Sequence, residues 1–118
     1  MKKTAYVECD LEMGNLGNAT PVLGIKGIDE VSVSVMTFQA GTGTGGFPGS
    51  TILQCQVSNN GINWFSFPTA VEITADGITD PINVTPYQFF RVAITDAAAA
   101  TDRKATVAIY GESYPLGT

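Results

Sequence analysis

Two cysteines, one tryptophan and eleven Asp and Glu side chains are the groups through which this 118-residue chain could do chemistry, and it contains no histidine. The commonest proton shuttle and the commonest metal ligand are therefore both missing. Cys9 and Cys55 are the candidate nucleophiles, but neither has an imidazole to lower its pKa. Each sits among alternating apolar residues, the setting of a small buried thiol rather than of a disulfide or a reactive thiolate. Glu8, Asp10 and Glu12 are spaced two apart, so they share one side of an extended segment. Two carboxylates flanking a bond can hydrolyse a glycoside, yet three in a row on one strand face read as a solvated surface that discourages wrong pairing. Asp76, Asp80 and Asp96 offer oxygens of the type Ca²⁺ takes, without the spacing of a twelve-residue ligand loop. The glycine-rich run 41–46, GTGTGG, lacks the lysine that a phosphate-cradling loop requires. The expectation is a protein with no catalytic residue, no metal and no cofactor, and hence not an enzyme.

The aromatic residues carry a different possibility. Trp64, Phe65 and Phe67 fall within four positions, and Tyr87, Phe89 and Phe90 within another four. Trp64 or Tyr87 could serve as a platform for a sugar ring, or could cover the end of a hydrophobic core with the polar tip bonded nearby. Phe47 sits in the segment Gly41 to Ser50, which has five glycines and one proline in ten residues and reads as a flexible loop. An apolar side chain on such a tip either packs locally or is reserved for contact with a partner.

The elements that must hold these residues are strands. Val, Ile and Thr total 33 against 5 Leu, and β-branched side chains fit a pleated sheet. Nineteen Gly and Pro residues punctuate the chain at short intervals. Thr4 to Glu12 alternates Ala5, Val7, Cys9 and Leu11 with polar residues. Pro21 to Lys26 predicts a short strand near an edge, and Val31 to Ala40 a central one with Val31, Val33 and Val35 on one face. Thr51 to Ser58 leads through Asn59, Asn60 and Gly61, residues that tolerate a tight hairpin turn, into a return strand from Ile62 to Phe67. Val71 to Ala75 and Ile82 to Val84 predict brief strands, Tyr87 to Thr95 a second central one, and Ala105 to Glu112 the last. Asp96 to Lys104 reads as a connecting loop.

About eight short strands in a chain of this length must pack as two sheets to hide their apolar faces. The expected fold is all-β, one antiparallel two-sheet sandwich over residues 1–118, with an N-terminal arm (1–4) and a C-terminal tail (113–118). Periodicity does not separate a jelly roll from an immunoglobulin-like order. The absence of an antibody-type Cys, Trp, Cys arrangement favours the jelly roll.

Composition bounds the partners. Apolar residues at 44% and charged residues at 14% predict a folded soluble domain rather than a disordered or membrane-spanning chain. A formal charge of −5 opposes binding to nucleic acid or anionic lipid. Lys2 and Lys3 are followed by acidic residues where a secretory signal would need an apolar run, so synthesis in a reducing cytoplasm is expected.

Ser58-Asn-Asn-Gly-Ile-Asn-Trp64, Pro86-Tyr-Gln-Phe-Phe-Arg-Val92 and the final Ala105-Thr-Val-Ala-Ile-Tyr-Gly111 together resemble small β-sandwich proteins found among the virion components of tailed bacteriophages. The likeness spans roughly Thr51 to Gly111. It implies a decoration or cement protein on the capsid surface, a structural protein of the virion bound to the major capsid protein as a small homo-oligomer. The resemblance implies no catalytic residue, which leaves contacts from loops, sheet edges and termini: Lys2, Lys3, Phe47, Tyr114 and Leu116. A carbohydrate-binding module or host-attachment protein using Trp64 or Tyr87, and a connector or tail component of the same virion, are the alternatives.

Overall fold

The computed structural model describes residues 3–39, 51–67, 71–96 and 103–114, and these form an antiparallel β-sandwich. The described strands are β1 (Thr4–Glu12), β2 (Leu23–Gly24), β3 (Glu30–Gln39), β4 (Ile52–Ser58), β5 (Phe65–Ser66), β6 (Glu72–Ile73), β7 (Gly77–Ile78), β8 (Ile82–Asn83), β9 (Phe89–Asp96) and β10 (Arg103–Glu112). One sheet runs β1-β10-β3, with β7 and β8 both on the far edge of β3. The other runs β2-β9-β4, with β5 and β6 both on the far edge of β4.

β5 and β6 lie in line along one edge of β4, and β7 and β8 along one edge of β3, so each pair occupies a single, interrupted strand position. Thr79 stitches the second interruption: its amide donates to the Val33 carbonyl at 2.9 Å and its hydroxyl accepts from the Val33 amide at 3.0 Å. The Cys55 amide donates to the Val71 carbonyl and the Phe67 amide to the Cys55 carbonyl, closing the first. Counting each interrupted strand once leaves eight positions, in the orders 1-8-3-6 and 2-7-4-5. That is the double Greek key of a jelly roll.

Period-two alternation decides which side chains face inward. In the first sheet Cys9, Val107 and Val35 stand opposite one another, as do Val7, Ile109 and Val33, and Leu11, Ala105 and Thr37. In the second, Leu23, Phe90 and Val57 align, with Val92 opposite Cys55 and Ile94 opposite Leu53. These two sets form one continuous core. Thr37, the polar member of the inner face, is buried with its amide and hydroxyl both donating to Asp76 Oδ1, at 3.2 and 2.7 Å. Asp76 thus supports the fold, since an unsatisfied hydroxyl there would cost a full desolvation penalty.

The long strands lie close to their expected bounds, and β3 and β9 are central. The short ones differ. The return strand expected from Ile62 to Phe67 pairs only over Phe65–Ser66, because side chains take over the hydrogen bonding of the turn. Ser58 Oγ accepts from the amides of Asn60 and Gly61, and Asn60 Oδ1 accepts from those of Ile62 and Asn63 at 2.9 Å each. With φ at +75°, Gly61 takes the left-handed conformation that this turn needs. The segments expected at 21–26 and 71–75 shrink to two residues each, and Gly77–Ile78, outside the expected strands, forms a strand. Carboxylates Glu8, Asp10 and Glu12 point to solvent from β1, which is an edge strand. Asp10 accepts from the Thr106 hydroxyl at 2.8 Å, and Glu12 lies 3.9 Å from the Lys104 ammonium.

Gly111 marks where the backbone must come closest. A Cβ there would meet Ile28 Cγ2 at 2.9 Å and Val31 Cγ1 at 3.1 Å. Gly111→Ala should destabilise the domain by about 1–3 kcal/mol, the usual result of overpacking a dense core. Gly24→Ala, with open space around the added methyl, should change stability by less than about 0.5 kcal/mol. Urea unfolding of the two variants checks both values, and equal midpoints would contradict the packing argument.

Candidate functional site

The residues expected to grip a partner from the chain ends are partly used by the fold itself. Lys3 and Ser113 extend the β1/β10 ladder: the Lys3 amide donates to Ser113 Oγ at 2.7 Å and the Ser113 amide to the Lys3 carbonyl at 2.8 Å. The Lys3 ammonium donates to the Lys26 carbonyl at 2.7 Å. Tyr114 is held through its amide, which donates to Asp29 Oδ2 at 2.6 Å. Partial desolvation and the nearby Glu30 and Asp29 carboxylates raise its phenol pKa. Lys3 and Tyr114 are therefore parts of the sandwich and not of free arms. Lys2, Phe47, Leu116 and the glycine-rich loop lie outside the described residues.

The two aromatic candidates separate. Trp64 is half-buried on the outer side of the β9/β4 sheet, with the Arg91 guanidinium 4.4 Å from its ring centroid. Arg91 Nε also donates to Gln56 Oε1 at 2.8 Å, directly across the strand pair. Burial lowers the Arg91 pKa. Trp64 is thus a partner for a cation on the sheet surface and does not cap the core. Tyr87 packs against the core edge-on to Phe67, with ring centroids 5.9 Å apart.

Tyr87 forms one wall of a cleft of about 340 Å³ beside the Ser58–Trp64 turn. Val57 and Phe65 supply its other apolar surfaces, and Asn59, Asn60 and Asn63 bring amide groups to it. Phe65 is 67% exposed there. Sequence reading missed Phe65 and the asparagines as site residues. Its one signal was the cluster of three aromatics after a polar turn, and the alternation that turns Phe65 and Trp64 to opposite sides depends on where pairing resumes.

A second surface comes from the register of three strands. On the outer face of the first sheet, Tyr6 stands opposite Tyr110 and Tyr110 opposite Ser32. Glu8, Ala108, Ser34 and Ile78 form the next row, then Asp10, Thr106 and Met36. The middle of this face is floored by small side chains, and Met36 and Ile78 rise from it, 69% and 72% exposed. The resulting trough has a volume of about 540 Å³. Among the described residues, Glu8, Asp10, Glu12, Glu30 and Glu112 share that face with one lysine, Lys104. Desolvation and the adjacent Glu8 carboxylate raise the Tyr6 phenol pKa.

The thiols are free, Cys55 buried and Cys9 half-buried. Burial pushes the Cys55 thiol up from the usual 9.0 to about 12, and burial together with Asp10 raises Cys9. Neither environment makes a thiolate at neutral pH. No group of three or more His, Cys, Asp or Glu side chains placed to hold a metal ion occurs among the described residues.

Two outcomes test these assignments. Because the Cys55 pKa is raised in the folded state, its contribution to stability is complete below the unfolded-state value. It is lost as pH climbs toward about 12. Denaturation midpoints should fall over that alkaline range less steeply in Cys55→Val than in the parent protein. A double-mutant cycle of Arg91→Met with Trp64→Leu should give a coupling of about 0.5–1 kcal/mol, and a zero coupling would remove the cation–ring contact as a stabilising element. No known family model and no curated protein matches this chain.

Proposed function

We propose that the chain is a non-enzymatic structural protein of a tailed-phage virion, a decoration or cement subunit that docks on the capsid through the outer face of the β1-β10-β3-β7 sheet. The observation that carries this reading is the company of Met36, Ile78, Tyr6 and Tyr110 on one side of one sheet, around a floor of serine, threonine and alanine. Large apolar side chains gathered on an exposed sheet face suit burial against another protein. The resemblance of the Ser58–Trp64 hairpin and the two late strands to virion sandwich proteins supplies the class of that partner.

The charge of the face specifies its complement. Five carboxylates against one lysine suit a capsid surface that presents Lys or Arg around an apolar centre. That charge also disfavours stacking two copies through this face, since their carboxylates would oppose one another. A symmetric oligomer on the capsid would use other edges. The absence of histidine and the raised thiol pKa values agree with a role made of contacts rather than chemistry.

Particles assembled with and without the protein provide the test. Those carrying it should hold a fixed copy number and rupture at a higher temperature. Met36→Lys and Ile78→Lys, both at exposed positions, should fold yet fail to join the particle. Equal heat tolerance with and without the protein would overturn the cement role, and full incorporation of both variants would overturn the docking face.

A further inference from the structure

We propose that the cleft between Tyr87 and Phe65 is a binding site for a neutral pyranose sugar, an activity separate from capsid docking and on a different face of the molecule. Its walls and its rim differ in the way a sugar ring does. Tyr87, Phe65 and Val57 offer apolar surface, and a pyranose has an apolar C–H face. Asn59, Asn60 and Asn63 offer amides, and the ring edge carries adjacent hydroxyls that both donate and accept. At about 340 Å³ the cleft falls at the small end of the range for ligand sites.

The polar groups are held in place before any ligand arrives. Asn59 Oδ1 accepts from the Gln88 amide at 3.2 Å, and Asn60 Oδ1 accepts from the Ile62 and Asn63 amides. Fixing those oxygens orients the two NH₂ groups as donors, which reduces the ordering cost of binding. Asn63, exposed at the mouth, adds a further donor and acceptor. Among the described residues no Asp, Glu, Lys or Arg lines the cleft, so a charged ligand finds no counter-charge there and a neutral one loses nothing. A proline-rich peptide, the other ligand that favours aromatic grooves, usually needs a tryptophan among the ridges. Trp64 lies outside the lining, on the outer sheet surface under Arg91. The platform is thus Tyr87 with Phe65, and Trp64 takes no part.

Amide NMR of the whole protein tests this with glucose, galactose, mannose and N-acetylglucosamine methyl glycosides and their trisaccharides, up to about 10 mM, enough to detect Kd values of order 1 mM. At least one should shift the amides of Asn59 to Ser66 and of Tyr87. Phe65→Ala and Asn63→Ala, both at exposed positions and so compatible with folding, should each weaken binding roughly five- to tenfold, while Trp64→Phe should leave it within about twofold. The inference is overturned if no sugar moves those amides, if both cleft variants bind unchanged, if Trp64→Phe abolishes binding, or if only a proline-rich peptide produces the shifts.

Discussion

The arrangement of the first sheet depends on a single cross-strand register, the one that sets Val107 of β10 opposite Cys9 on one side and Val35 on the other. Side chains alternate with period two, so a slip of β3 by one residue on β10 would turn Val31, Val33 and Val35 to water and bury Ser32 and Ser34. Burial of those three β-branched side chains, each contributing roughly 1.5–3 kcal/mol, makes that slip prohibitive. The register is correspondingly strict over the whole length of β10.

From that register follow features far from the core. It aligns Tyr6 with Tyr110 and places Glu8, Ala108, Ser34 and Ile78 in one row, so the composition of the outer face is a consequence of how the inner face packs. It draws Gly111 against Ile28 and Val31. It also brings Lys3 and Ser113 together, and with them the described parts of both chain ends. A jelly roll makes this coupling unavoidable, since its first and last strand positions are neighbours in one sheet.

The second sheet is less uniform, and its irregularities lie beside the cleft. β4 keeps continuous pairing with β9, apart from one irregularity at Ile52/Leu53, but its other edge meets a strand broken into β5 and β6. At the preceding turn, side chains of Ser58 and Asn60 bond to backbone groups that a regular ladder would have paired, and Gln54 Nε2 adds a second bond to the Val71 carbonyl already paired with the Cys55 amide. Tyr87 and Phe65 both line the cleft beside that turn. The same asparagines that close the turn therefore also line the cleft, which joins local folding to the proposed recognition of a ligand.

Read alone, the amino-acid sequence determined the β class, the bounds of the long strands, the inward residues of each and the unreactive character of Cys55. All of these depend on local alternation and composition, which are present in the chain before it folds. Hydrogen-bond competition at the turn and the two interrupted edges was not legible, because whether Ser58 and Asn60 or a neighbouring strand satisfies a backbone amide depends on groups distant in sequence. The separation of Trp64 from Phe65, the use of Lys3 and Tyr114 as clasps, and the gathering of Met36, Ile78, Tyr6 and Tyr110 belonged to tertiary structure alone. Each is set by the pairing of strands distant in sequence, as Lys3 and Ser113 are, 110 residues apart, and the pattern along one strand says which side a residue faces but not what stands beside it.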